Sequence, residues 1–280
     1  MRMHLPDTPC RALVAILLFA VTLLAPVFSH ADMYLGSVAM DVPAAMVQRL
    51  TPLTRYLSAK TGEKIHFRAS PNLGSAVDDI GVGHTQIAYL TPVAYIEAHQ
   101  KYNVLPLASP LTHGKTTFNL VIVVRDDSPI RTVSDLRGKR FAFGDEKALL
   151  QRAVVVGSGV KLEELGNYAF LNHYDNIAKA VLNGDFDAGI LKDTIAEKFK
   201  PQGLRYVHVS PDLSSYLFAV NNTVPPAMVT KLRKALLELK PDTAEGKMIL
   251  GALDSGYDGF SSASDSEYDV IRKLIAPFEK

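Results

Sequence analysis

Histidine, carboxylate and serine positions set which reactions this chain could run. Six of its eight histidines lie beyond residue 31: His66, His84, His99, His113, His173 and His208. No two stand four apart on one helix face and no H-E-x-x-H occurs, so no zinc site is expected. Asp185 and Asp187 would share one face of a strand, the arrangement general acid–base chemistry needs. Their setting between Gly184 and Gly189 instead reads as a solvated turn. Gly157-Ser158-Gly159 is not G-x-S-x-G, so serine hydrolysis has no support. Neither a phosphate-binding G-x-x-x-x-G-K-[ST] loop nor a dinucleotide fingerprint is present. The expectation is no catalytic residue, no metal and no cofactor.

Composition narrows the partners. Thirty basic residues face 29 acidic ones, and charged residues make up 21% of 280, so no basic stripe exists to hold nucleic acid. Hydrophobic residues reach 48%, enough for a substantial core. Residues 1–31 differ from the rest: Arg2 and Arg11 precede an apolar run from Ala12 to Val27, and Ser29-His30-Ala31 offers small residues at a cleavage site. This pattern predicts a signal peptide cleaved after Ala31 and a periplasmic product. The sole cysteine, Cys10, would leave with it, so no disulfide is expected.

Beyond residue 31 short β-like runs alternate with amphipathic helical stretches, which predicts an α/β protein. Met33–Met40 reads as a strand, Ala44–Thr61 as a helix with apolar residues at Met46, Leu50, Leu53 and Leu57. Asn119–Arg125 is a long apolar strand suited to a sheet interior, and after it the pattern restarts through Arg140–Phe143, Tyr174–Asn183 and Ala188–Leu191. From Pro226 the chain reads as helical through Leu239, again around Lys247 and again over Ser266–Ile275. Two α/β halves without a Gly/Ser linker suggest two lobes facing a cleft, each a mixed sheet flanked by helices. Ligands of such sheets lie outside the carboxyl ends of strands, against helix N-termini. The expected division is 32–123 plus 217–280 for the first lobe and 124–216 for the second.

Four stretches resemble one family. Gly83–Tyr95 (GHTQIAYLTPVAY), Asn119–Ser128 (NLVIVVRDDS), Ser134–Asp145 (SDLRGKRFAFGD) and His173–Gly189 (HYDNIAKAVLNGDFDAG) are similar, in order and spacing, to the periplasmic substrate-binding proteins of phosphate, phosphite and phosphonate ABC importers. The resemblance implies a type II periplasmic-binding-protein fold. It also implies capture of a small solute, an oxyanion or small organic molecule, for delivery to an ABC permease. A sensing protein of the same fold, signalling to a receptor kinase, is the alternative. A monomer is expected.

Carried over by position, the family's ligand contacts fall at Thr116, Thr117 and Phe118 before the long strand, at His173, and near Ser214, Ser215 or Tyr216. On the first lobe Asn72, Tyr89 and Thr91 would face the same cleft. The sequence departs from the family at the helix start where serine and threonine hydroxyls should clamp the anion. Here it reads Gly144-Asp145-Glu146-Lys147-Ala148-Leu149-Leu150. Three hydroxyl donors are gone, each worth about 1.5–3 kcal/mol to a charged group. Asp145 and Lys147 are candidate ligand contacts here; if Asp145 caps the helix its carboxylate takes N–H groups a ligand would use, and Lys147, if it points into the cleft, offsets one of the two acidic charges. The expectation is weak binding of simple alkylphosphonates.

Overall fold

The computed structural model describes residues 32–38, 43–147 and 149–278. The signal-peptide expectation and Ala148 lie outside them. In chain order the elements are β1 (Met33–Ser37), α1 (Pro43–Thr61), β2 (Ile65–Ala69), α2 (Leu73–Gly81), β3 (Ile87–Leu90), α3 (Pro92–Tyr102) and β4 (Leu105–Thr112). There follow β5 (Thr117–Phe118), β6 (Leu120–Arg125), β7 (Arg140–Phe143), α4 (Leu149–Gly157), β8 (Asn167–Phe170), α5 (Tyr174–Leu182) and β9 (Ala188–Lys192). The remainder is α6 (Asp193–Phe199), β10 (Leu204–Val209), β11 (Leu213–Ser214), β12 (Leu217–Val220), α7 (Pro226–Glu238), α8 (Ala244–Leu253), β13 (Tyr257–Ser262) and α9 (Asp269–Ile275).

Local chemistry accounts for most of these. In α2 the Asn72 side chain accepts the Ser75 N–H, and Leu73, Ala76, Val77 and Ile80 bury one stripe. In α3 Thr91 caps, Pro92 occupies the first turn and Asn103 closes the helix in the left-handed region. In β6 Leu120, Ile122 and Val124 face one core while Val121 and Val123 face another. Both faces of that strand are covered, so it reads as an unbroken apolar run. Gly138 (φ 71°) supplies the positive φ that follows the short 3-10 turn Val133–Leu136.

The first lobe holds a six-stranded sheet in the order β13-β4-β12-β3-β1-β2, the second a five-stranded sheet in the order β10-β6-β9-β7-β8. In each, three parallel strands (β2-β1-β3 and β8-β7-β9) are continued by an antiparallel partner that arrives from the other lobe, β12 or β6. The chain passes between the lobes at β5 and again at β11, and these two segments pair as an antiparallel ribbon, Leu213 with Phe118 and Ser214 with Thr117.

One expectation is corrected. The break set at 123/124 cuts through β6, which pairs with β10 and β9 of the second sheet along its length. The second lobe's strands therefore begin at Leu120, because a strand cannot be shared between sheets without abandoning its ladder. Between the helices of the tail, β13 pairs with β4 on the edge of the first sheet. Neither strand stands out in the sequence, since β4 carries Pro106 and Pro110, and β13 carries Gly259 at φ 150°.

Candidate functional site

A cavity of about 340 Å³ lies where the carboxyl ends of strands from both sheets meet. Val38 follows β1, Thr91 follows β3, Asp145 follows β7, Asn172 follows β8 and Lys192 ends β9; all five line it. Three helices begin at its wall: α3 through Thr91, Pro92 and Val93, α4 through Leu150 and Gln151, and α5 through His173 to Asn176. The first N–H groups of a helix have no partner within it and carry the positive end of the dipole.

Of the sequence-derived residues, Tyr89, Thr91, Phe118, Asp145, His173 and Tyr216 line the cavity. Tyr89 is buried, and its hydroxyl lies 2.5 Å from that of Tyr257. Thr91 Oγ1 accepts the Ala94 N–H at 3.2 Å, and a hydroxyl that accepts one bond still carries a proton to donate. His173 occupies the cap position of α5 without capping through its side chain. Its Nδ1 is buried and finds no hydrogen-bond partner among the described residues. Phe118 and Tyr216 meet edge to face across the ribbon, centroids 5.6 Å apart.

The others lie outside the lining. Asn72 is exposed and spends its side chain on capping α2. Thr116 accepts the Ser215 N–H through its carbonyl, and Thr117 pairs with Ser214. Ser215 is buried behind Tyr216, because adjacent residues in an extended segment point to opposite sides. Lys147 is exposed and reaches towards the first turn of α2, where a Cβ on Gly74 would stand 2.7 Å from its Nζ. Asp145 does not cap α4: its carboxylate accepts the Lys147 N–H at 2.7 Å, and the helix begins only at Leu149. The Gly144 N–H is taken by Gln151 Oε1 at 2.7 Å. Asp187 is held by Arg140 at 2.8 Å, outside this cavity.

The centre of the site is a pair that the sequence did not suggest. Lys192 is 3% exposed, and its ammonium lies 2.8 Å from Asp254 Oδ2 and 3.3 Å from the Tyr257 hydroxyl. Rings surround it: its Nζ is 4.7 Å from the Tyr257 centroid, 5.3 Å from Tyr216 and 5.8 Å from Phe118, all within cation–π range. Asp254 ends α8 in the first lobe and also accepts from Thr194 and the Gly256 N–H. The pair thus joins the lobes. Burial opposes the ammonium, but Asp254 outweighs it and the Lys192 pKa is raised. Burial likewise opposes the carboxylate, yet Lys192 holds Asp254 below the usual range. Burial pushes the Tyr89, Tyr216 and Tyr257 phenols well above theirs, so all three remain neutral donors.

Arg49, Lys179 and Lys192 line the cavity against Asp145, Asp175 and Asp254. Its formal charge is balanced, so oriented N–H and O–H groups, not net charge, would select an anion. The one available signal for Lys192 was its position at the end of an apolar strand. Asp254 and Tyr257 come from the far end of the chain, and no local pattern marks them.

Residues 35–268 match the family described as ABC transporter, phosphonate, periplasmic substrate-binding protein. The phosphate-import protein PhnD of Mycolicibacterium smegmatis is 26% identical over 253 residues, 80% of this chain and 78% of that one. PhnD1 of Prochlorococcus marinus, solved with methylphosphonate, superposes with a TM-score of 0.80 at 18% identity, over 89% of this chain and 98% of that chain. The binding-protein component of a Pseudomonas aeruginosa ABC phosphonate transporter gives 0.76 at 18% identity, over 88% and 85%. With a matching two-lobed fold and a cleft at the strand ends, the chain belongs to the periplasmic substrate-binding proteins of ABC phosphonate transporters.

Proposed function

We propose that the cleft captures an organic oxyanion of the phosphonate class and that the closed protein presents it to an ABC permease. The observation that carries this reading is the meeting of three helix N-termini with the buried His173 Nδ1 at one cavity. The aromatic wall of Tyr89, Phe118, Tyr174, Tyr216 and Tyr257 would receive the organic arm. Leu150 stands at the helix start where the family has hydroxyls, so the arm supplies part of the affinity and methylphosphonate alone binds weakly.

Calorimetry across methyl-, propyl- and phenylphosphonate, with inorganic phosphate and sulfate, tests this. Affinity should rise with the organic group. Sub-micromolar methylphosphonate binding would overturn the weak-clamp argument, and silence from every oxyanion would overturn the ligand class. One relative named above is a phosphate-import protein and another a component of an ABC phosphonate transporter, and no feature of this site favours a receptor kinase as partner. Export through residues 1–31 with cleavage after Ala31, and action as a monomer, complete the reading. They are checked by N-terminal sequencing of periplasmic protein and by light scattering.

A further inference from the structure

We propose that Lys192 is a specificity-determining residue: its ammonium fills an aromatic, carboxylate-based cation site inside the cleft and so excludes amine-bearing solutes. This deepens the phosphonate reading above, yet it rests on separate observations. Three rings and a carboxylate grouped around one point form the chemistry that recognises an alkylammonium. Here Phe118, Tyr216, Tyr257 and Asp254 form that group, and all four line the cavity. The occupant is the protein's own side chain, tethered to the end of β9 and 3% exposed. A solute ammonium entering the cleft would meet Lys192 instead of the carboxylate, since Asp254 is already engaged by Lys192, Thr194 and the Gly256 N–H. Like charges would then be placed together in a site with little water to screen them.

The test separates the cation site from the oxyanion site. Lys192→Ala empties the cage and leaves Asp254 in place. Propylammonium chloride should then raise the melting temperature of this variant, with potassium chloride at equal ionic strength as the reference, and should leave the wild type and a Lys192→Ala/Asp254→Asn double variant unmoved. Should Lys192→Ala not fold unaided, recovery of folded protein on refolding in propylammonium gives the same readout. Absence of any propylammonium effect, on stability or on refolding, overturns the proposal whatever the phosphonates do. In the second arm, the wild type should bind propylphosphonate at least tenfold more tightly than 3-aminopropylphosphonate, and Lys192→Ala should reverse the order. Equal or tighter wild-type binding of the amino compound also overturns it. Wild-type indifference to both phosphonates, with propylammonium still acting on Lys192→Ala, would sink the ligand class and leave the cation site standing.

Discussion

Lys192 and Asp254 each bury a formal charge, and each is tolerable there only because of the other. Removing one partner from such a pair typically costs about 3–5 kcal/mol, because the survivor is left uncompensated. Asp254→Asn should therefore lower unfolding stability in urea by about that amount. A Lys192→Met/Asp254→Leu double variant should lose less than the single one. The pH dependence follows from the two shifts. The Asp254 contribution is present above the unfolded carboxylate value of about 3.9 and fades as pH falls through its lowered folded value. The Lys192 contribution is present below about 10.4 and fades as pH rises through its raised folded value. The Asp254→Asn penalty should hence stay constant from about pH 5 to pH 9, and a penalty that drifts within that window would argue against the pair as its source. His173 presents the opposite case, a buried ring nitrogen with no partner among the described residues. His173→Ala should weaken binding of the best phosphonate by about 1.5–3 kcal/mol while leaving the melting temperature nearly unchanged. Unaltered affinity with a lower melting temperature would return the residue to a purely local role at the helix start.

At the scale of elements, helix α5 aims its first turn at the cavity and carries Asp175 within that turn. The carboxylate favours the helix but repels an anion arriving at the same end. Asp175→Asn should tighten oxyanion binding by about 0.3–1 kcal/mol at low salt, with the gain shrinking as salt is added, at a small cost in stability. Titrations at two ionic strengths check both the sign and the screening. Element type was readable wherever apolar spacing and caps agreed, as in α2, α3 and β6. It failed at β4, where Pro106 and Pro110 look like breakers. Pro106 stands opposite Ala219 and Pro110 opposite Phe260, and a register shift between Phe218 and Ala219 accommodates the strand. Neighbouring strands decided that element, and they come from more than a hundred residues away.

For the molecule as a whole, two lobes joined by the β5–β11 ribbon predict closure on ligand. Closure requires that the ligand bind the closed form better than the open one. Small-angle scattering should show a smaller radius of gyration with saturating phosphonate than without it. Identical dimensions in both conditions would mean that the interlobe Lys192–Asp254 contact keeps the lobes together unaided, and Asp254→Asn should then restore the difference. By itself the sequence determined the α/β class and the restart into a second half, and it pointed to Tyr89, Thr91, Phe118 and His173, which line the cavity, because strand runs, helix caps and family motifs are local and survive in one dimension. Only the tertiary structure decided which side of the ribbon Ser215 and Tyr216 face, that Gly144 gives its N–H to Gln151, and that Asp145 turns back onto Lys147. It alone decided the centre of the cleft as well. Lys192 and Asp254 lie 62 positions apart on different lobes, and their charges are interpretable only once burial removes water from both.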